Sequence, residues 1–146
     1  MDRDRLTEQL QPLLVELTDL GLSAKQAHWN LRGPQFRPVH LELDELVDDV
    51  RNWADQVAER LVALDIPADG RVGTVGADSP FAEFPEGFVS VDKALAAVIE
   101  RLDVVIVGVR DRIDQLGRVD LVSQDLLVGV ASGLEKHRWM FAAQRQ

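Results

Sequence analysis

The chain has 146 residues, 46% hydrophobic and 28% charged, with a net charge of −9 and a pI near 4.7, a balance that fits one soluble domain with a substantial core. It has no cysteine, which excludes disulfides and thiolate metal sites, so any metal must be held by nitrogen and oxygen. Only three lysines (Lys25, Lys93 and Lys136) stand beside thirteen scattered arginines, an acidic surface that repels phosphate backbones.

The opening Met1-Asp2-Arg3-Asp4-Arg5 alternates charge and lacks the apolar core of a signal peptide, and no apolar run reaches bilayer length, so a cytoplasmic protein is expected. A first amphipathic helix follows, with Leu6, Leu10, Leu13, Leu17, Leu20, Ala24, Ala27 and Leu31 in heptad-like spacing. Gly33-Pro34 ends it, and Pro34 and Pro38 both disfavour a continuous helix, so a short antiparallel turn is expected. A second helix carries Val39, Leu43, Leu46, Val50, Trp53, Val57 and Leu64 and should stop near Ile66-Pro67. Residues 66–89 hold four glycines and three prolines and no clear period. That stretch reads as a long crossover between parallel helices, with a short extra helix expected over Pro80-Phe81-Ala82-Glu83-Phe84. A third helix follows through Leu95, Val98, Leu102, Val105, Val109, Ile113 and Leu116, with Gly117 as its C-cap. A fourth carries Leu127, Val130, Leu134 and Phe141. Gly129 and Gly133, one turn apart on it, read as a small face for close helix packing. The expectation is one all-α domain over residues 1–146, an up-down-down-up four-helix bundle of ferritin-like topology.

Beside the buried stripe of the second helix runs a row of metal-ligand types. His40 and Asp44 are four residues apart, as are Asp55 and Glu59, and helical periodicity puts all four on one face. Asp44 and Asp55 lie roughly 16 Å apart along the axis at 1.5 Å per residue, whereas metal bonds to nitrogen or oxygen are about 2 Å. One ion therefore cannot join both ends of the row within one straight helix. An antiparallel copy, related by a two-fold axis near residue 49 or 50, would bring Asp55 and Glu59 of one subunit to His40 and Asp44 of another. His28, on the preceding helix, would complete the cluster. Imidazole with carboxylate suits iron, with zinc and manganese as competitors. The chain has no Glu-x-x-His, so a di-iron centre inside one bundle is not expected. Taken singly these residues have plainer readings: His28 as helix-end packing, Asp44, Asp48 and Asp49 as a solvated face, and Asp55 and Glu59 as ion-pair partners of Arg51 and Arg60. The joint spacing favours the ligand reading.

The chain resembles the Dps family, mini-ferritins of the ferritin-like superfamily. The carrying residues are Ala27-His28-Trp29-Asn30 with Gly33, then His40 and Asp44, then Asp55-Gln56-Val57-Ala58-Glu59-Arg60, and finally Leu134-Glu135-Lys136-His137-Arg138-Trp139-Met140. The resemblance implies a hollow homododecamer with a short helix in the crossover. It implies ferroxidase sites between two-fold-related subunits, with His28, His40 and Asp44 from one subunit and Asp55 and Glu59 from its partner, and Trp29 close by. The implied activity is oxidation of Fe(II) to Fe(III) by hydrogen peroxide or dioxygen, with storage of ferric mineral and protection against oxidative damage. Iron would enter by acidic pores, for which Asp125 and then Asp120 are the candidates; helix capping is the plainer reading of both.

Many members of the family bind DNA through basic tails. Here the first helix begins almost at once and the chain ends at Ala143-Gln144-Arg145-Gln146, so weak or absent DNA binding is expected, and no DNA-binding residue is assigned. Two other functions compete with iron oxidation. One is a nucleoid-compacting DNA-binding protein with a secondary metal site. The other is a four-helix metalloprotein of another class, such as a DinB-like hydrolase or transferase.

Overall fold

The structure is a computed structural model and describes residues 1–145. Helix α1 (Arg3–Asn30) starts where the Asp2 carboxylate accepts the Arg5 backbone N–H at 3.1 Å, and Asp4 adds a negative charge in the first turn. Its eight expected core residues, Leu6 to Leu31, are all buried. Leu31 already lies in a two-residue strand, β1 (Leu31–Arg32). Gly33 at φ 119 and Gln35 at φ 68 then reverse the chain. Helix α2 (Phe36–Ala63) follows at once. Pro38 sits in its first turn, where the missing N–H would have no helical partner, so this proline opens the helix rather than separating it from α1.

Helix α2 ends at Ala63, a turn earlier than the proline alone suggests. Asp65 takes a left-handed φ of 59, and the Ile66 N–H reaches back to the Leu61 carbonyl at 2.9 Å. The chain is thus closed off before Pro67 is reached. The crossover does contain a short helix, but it is α3 (Val72–Asp78) and not residues 80–84. Gly73 and Gly76 hide it from propensity reasoning. Asp69 nucleates it by accepting the Arg71 N–H and the Thr74 hydroxyl, at 3.1 and 2.9 Å. The Gln11 side-chain amide clamps the Asp69 backbone from both sides, at 2.8 and 3.0 Å, and ties the crossover to α1.

Residues 80–84 instead wrap a buried cation. Arg101 lies over Phe84 and Phe81, 5.1 and 5.6 Å from their ring centroids, and donates to the Ala82 carbonyl at 2.6 Å. The chain then forms strand β2 (Val89–Ser90), helix α4 (Val91–Leu116) and helix α5 (Leu121–Ala142). Strands β1 and β2 pair in parallel, Leu31 with Val89 and Arg32 with Ser90. That pairing puts the end of α1 beside the start of α4, so α2 and α4 run parallel and the bundle is up-down-down-up.

Gly117 does cap α4, but with φ −58, so handedness does not require it. A Cβ there would stand 2.9 Å from the Gln124 amide nitrogen, which donates to the Ile113 carbonyl. The two glycines of α5 are unequal. A Cβ on Gly133 would lie 2.2 Å from the Trp53 ring, whereas Gly129 has nothing within 4 Å and is not a packing glycine. Contacts that hold helix α2 against α5 include Trp53 in the Gly133 notch, the His137 imidazole on Asp49 at 2.6 Å, and Arg60 on Asp120 at 2.7 Å.

Candidate metal centre

His28 and His40 come together where α1 turns into α2. Their rings stack with centroids 3.7 Å apart and 12° between planes, and Phe36 covers the other face of His40 at 4.9 Å. Each Nδ1 points at the other residue's backbone carbonyl, His28 Nδ1 to His40 O at 2.6 Å and His40 Nδ1 to His28 O at 2.7 Å. A carbonyl oxygen can only accept, so both Nδ1 atoms carry hydrogen. In the neutral ring Nε2 is then a free lone pair, the state a metal ligand needs. The tight turn at Gly33 and Gln35 makes this possible by placing the two carbonyls within reach of the two rings.

Asp44 lies one turn beyond His40, its Oδ2 3.6 Å from His28 Nε2. The Lys25 ammonium sits 2.5 Å from its other oxygen. The hydrogen bond from Lys25 holds the Asp44 carboxyl below the usual aspartate range. The spacing of metal-ligand residue types does not bring out Lys25. It lies one helical turn before His28, on the same face of α1, and that offset was the signal available in the sequence.

Asp55 and Glu59 are exposed, three turns and more along α2 from Asp44. They face each other. Hydrogen bonding to Asp55, and the charge of Asp55, push the Glu59 carboxyl above the usual glutamate range. Neither takes Arg60, whose guanidinium is drawn away to Asp120 and to the Ser123 hydroxyl, and neither forms an ion pair with Arg51 among the described residues. Two adjacent carboxylates without a cation are a strong acceptor for one. Among the described residues, no three His, Asp or Glu side chains of a single subunit converge on one metal position. The structure therefore joins His28, His40 and Asp44 loosely, joins Asp55 to Glu59, and leaves the two groups apart along one helix.

Trp29 is exposed, at the rim of a groove of about 390 Å³ shared with Leu22, Val72, Phe81 and Phe84. Asp120 is the N-cap of α5. It accepts the Ser123 N–H at 3.2 Å and pairs with Arg60, so the capping reading describes it. Burial disfavours its charge, but the bonds from Ser123 and Arg60 outweigh this and hold its carboxyl below the usual range. Asp125 is exposed on the second turn of α5.

Residues 7–146 match the family model of the ferritin-like domain. The chain is 38% identical over 138 residues to the DNA protection during starvation protein of Mycolicibacterium smegmatis, which covers 94% of this chain and 75% of the relative. Among solved structures, the Dps92 of Deinococcus radiodurans superposes with a TM-score of 0.97 at 31% identity, covering 99% of this chain and 88% of that one. Dps from Microbacterium arborescens, in its high iron form, superposes with a TM-score of 0.93 at 35% identity, covering 97% and 93%.

Proposed function

The chain belongs to the Dps family of ferritin-like proteins, and on that premise we propose that it is a ferroxidase whose sites are each shared by two subunits. His28, His40 and Asp44 of one subunit and Asp55 and Glu59 of the partner subunit would bind Fe(II) as substrate, within a homododecamer that stores the ferric product and so protects against oxidative damage. The observation that carries this reading is the pair of imidazoles whose Nδ1 atoms are both committed to backbone carbonyls. A packing histidine needs no such fixed tautomer; a ligand pair does.

The chemistry follows from charge. Two Fe(II) ions each release one electron to one hydrogen peroxide. Its O–O bond breaks, and two protons complete two waters. The carboxylates of Asp44, Asp55 and Glu59 favour the more highly charged ferric product, and the two neutral rings leave net charge at the site negative. Asp55 and Glu59 repel each other in the free subunit and lose that repulsion when a cation lies between them. Dioxygen is the other candidate oxidant. The exposed Trp29 ring, next in sequence to His28, would report iron oxidation by its fluorescence. Asp125 is the remaining candidate for an acidic entry pore.

The net charge of −9, with three lysines in all, favours iron handling over DNA compaction as the primary role. A salt-titrated gel shift would reverse that order if it showed tight binding without magnesium. No helix among the described residues is long and apolar enough to cross a membrane, and the protein would act in the cytoplasm.

The test is to add stoichiometric hydrogen peroxide to the protein under anaerobic Fe(II) and follow ferric absorbance. Rapid oxidation that is lost in His28→Ala/His40→Ala is the expected result. Equal slow oxidation in both proteins would remove the ferroxidase reading.

A further inference from the structure

The stripe that carries the proposed ligands on α2 has two more members. His40, Asp44, Asp48, Arg51, Asp55 and Glu59 follow one another along one helix and fall within about 100° of its circumference. The stripe has a midpoint, between Asp49 and Val50. His40 and Glu59 are equidistant from it, as are Asp44 and Asp55, and as are Asp48 and Arg51. A dyad through that point, which lays His40 and Asp44 against Glu59 and Asp55 of the partner subunit, also lays Asp48 against Arg51 of the partner subunit.

This innermost pair is the one of opposite charge, and between His40 and Glu59, Arg51 is the only lysine or arginine on this face. Asp48 and Arg51 are both exposed, and among the described residues neither takes part in an ion pair within the subunit. Arg51 does have carboxylates within helical reach, three positions before it and four after it. Of the charged neighbours off the stripe, Asp49 is hydrogen-bonded to His137 and Arg60 is paired with Asp120 within the subunit. Asp48 and Arg51 are left for something outside.

We propose that Asp48 and Arg51 form a reciprocal pair of ion bridges across the dyad, a clasp that sets the register in which the two halves of each metal site meet. The inference rests on the shared-site reading and adds the residues that align it. Its specificity lies in what it forbids. Sliding one α2 past the other by three residues, about 4.5 Å, sets Arg51 against Arg51 of the partner subunit. The opposite slide sets Asp48 against Asp48 of the partner subunit. Both misregisters juxtapose like charges, which disfavours them relative to the correct one.

The test uses D48R, R51D, the double variant D48R/R51D and the wild type, compared by mass in solution at low salt, with far-UV circular dichroism to confirm folding. Each single variant should raise the subunit dissociation constant about tenfold or more, and the double variant should recover assembly. A one-to-one mixture of D48R with R51D should co-assemble, because the mixed dyad is complementary at both positions. If the singles assemble as the wild type does, or if the double recovers while the mixture does not, the bridges are absent or lie within one helix, and the clasp is overturned. Fe(II) oxidation by the wild type, compared with His28→Ala/His40→Ala in the same buffer, separates the two failures. Normal oxidation with indifferent clasp variants sinks the clasp alone, whereas no oxidation by the wild type removes the shared site and the clasp with it.

Discussion

His28 and His40 hold each other by their backbones: each ring's Nδ1 lies within 2.7 Å of the other residue's carbonyl oxygen, and the rings stack at 3.7 Å. The arrangement fixes which nitrogen carries hydrogen before any metal arrives. In the metal-free protein at mildly alkaline pH, nitrogen-detected NMR should show both rings in the Nδ1–H tautomer. Addition of Zn(II), as a redox-silent probe, should shift the Nε2 resonances and leave the Nδ1–H couplings in place. Nε2–H tautomers in the free protein would contradict the preorganised ligand pair.

At the proposed site Lys25 would compete with the metal for Asp44. The pair is partly exposed, so its worth is limited to about 1 kcal/mol or less. Lys25→Met should therefore tighten Zn(II) binding about two- to fivefold in calorimetry under conditions that keep the assembly intact. The same substitution should return the Asp44 carboxyl toward the usual aspartate range. Weaker binding in the variant would show that Lys25 serves the site in another way.

The two glycines of α5 should respond in opposite directions. Gly133→Ala drives a Cβ into the Trp53 ring. Rearranging that ring should cost about 1–3 kcal/mol and change the tryptophan emission. Gly129→Ala meets nothing, and its gain in helix propensity should stabilise the protein by up to about 1 kcal/mol. Urea melts at fixed protein concentration decide both. Equal effects at the two positions would mean that the notch under Trp53 can relax.

Asp120 joins the start of α5 to α2 through Arg60. Its carboxyl is held below the usual range, so the folded state binds its proton less tightly than the unfolded state does. The stability it contributes is present above the ordinary aspartate pKa, near 4, and is lost as pH falls through the lower folded value. Asp120→Ala should lower stability by about 1–2 kcal/mol at neutral pH, from the cap and the ion pair together. The wild type and the variant should converge as the pH falls through the depressed titration of the Asp120 carboxyl. A pH-independent difference would contradict a carboxyl held in its charged form by the Ser123 and Arg60 bonds.

The helices were legible in the sequence because burial repeats along them every three or four residues, as in the leucine stripe of α1 and in Leu95, Val98, Leu102, Val105 and Val109 of α4. The spacing of His40, Asp44, Asp55 and Glu59 was legible for the same reason, since a helix converts intervals into faces. What escaped depended on contacts distant in the chain. Arg101 decides where Phe81 and Phe84 lie, and Asp69 decides that the short helix covers 72–78, and neither effect has a local period. Lys25 matters only because α1 and α2 meet in one particular register. Gly129 and Gly133 look alike in sequence and differ because Trp53 faces one of them.

Complementation between two inactive chains decides whether each metal site draws its ligands from two subunits. One variant carries His28→Ala/His40→Ala/Asp44→Ala, the other Asp55→Ala/Glu59→Ala, and each alone should fail to oxidise Fe(II) rapidly. Co-assembled in equal amounts, they generate mixed pairs in which one of the two sites has all five ligands. About a quarter of the wild-type initial rate should return, given random pairing across the dyad. A mixture no faster than its parents, although shown by mass to co-assemble, would rule out ligands shared between two subunits.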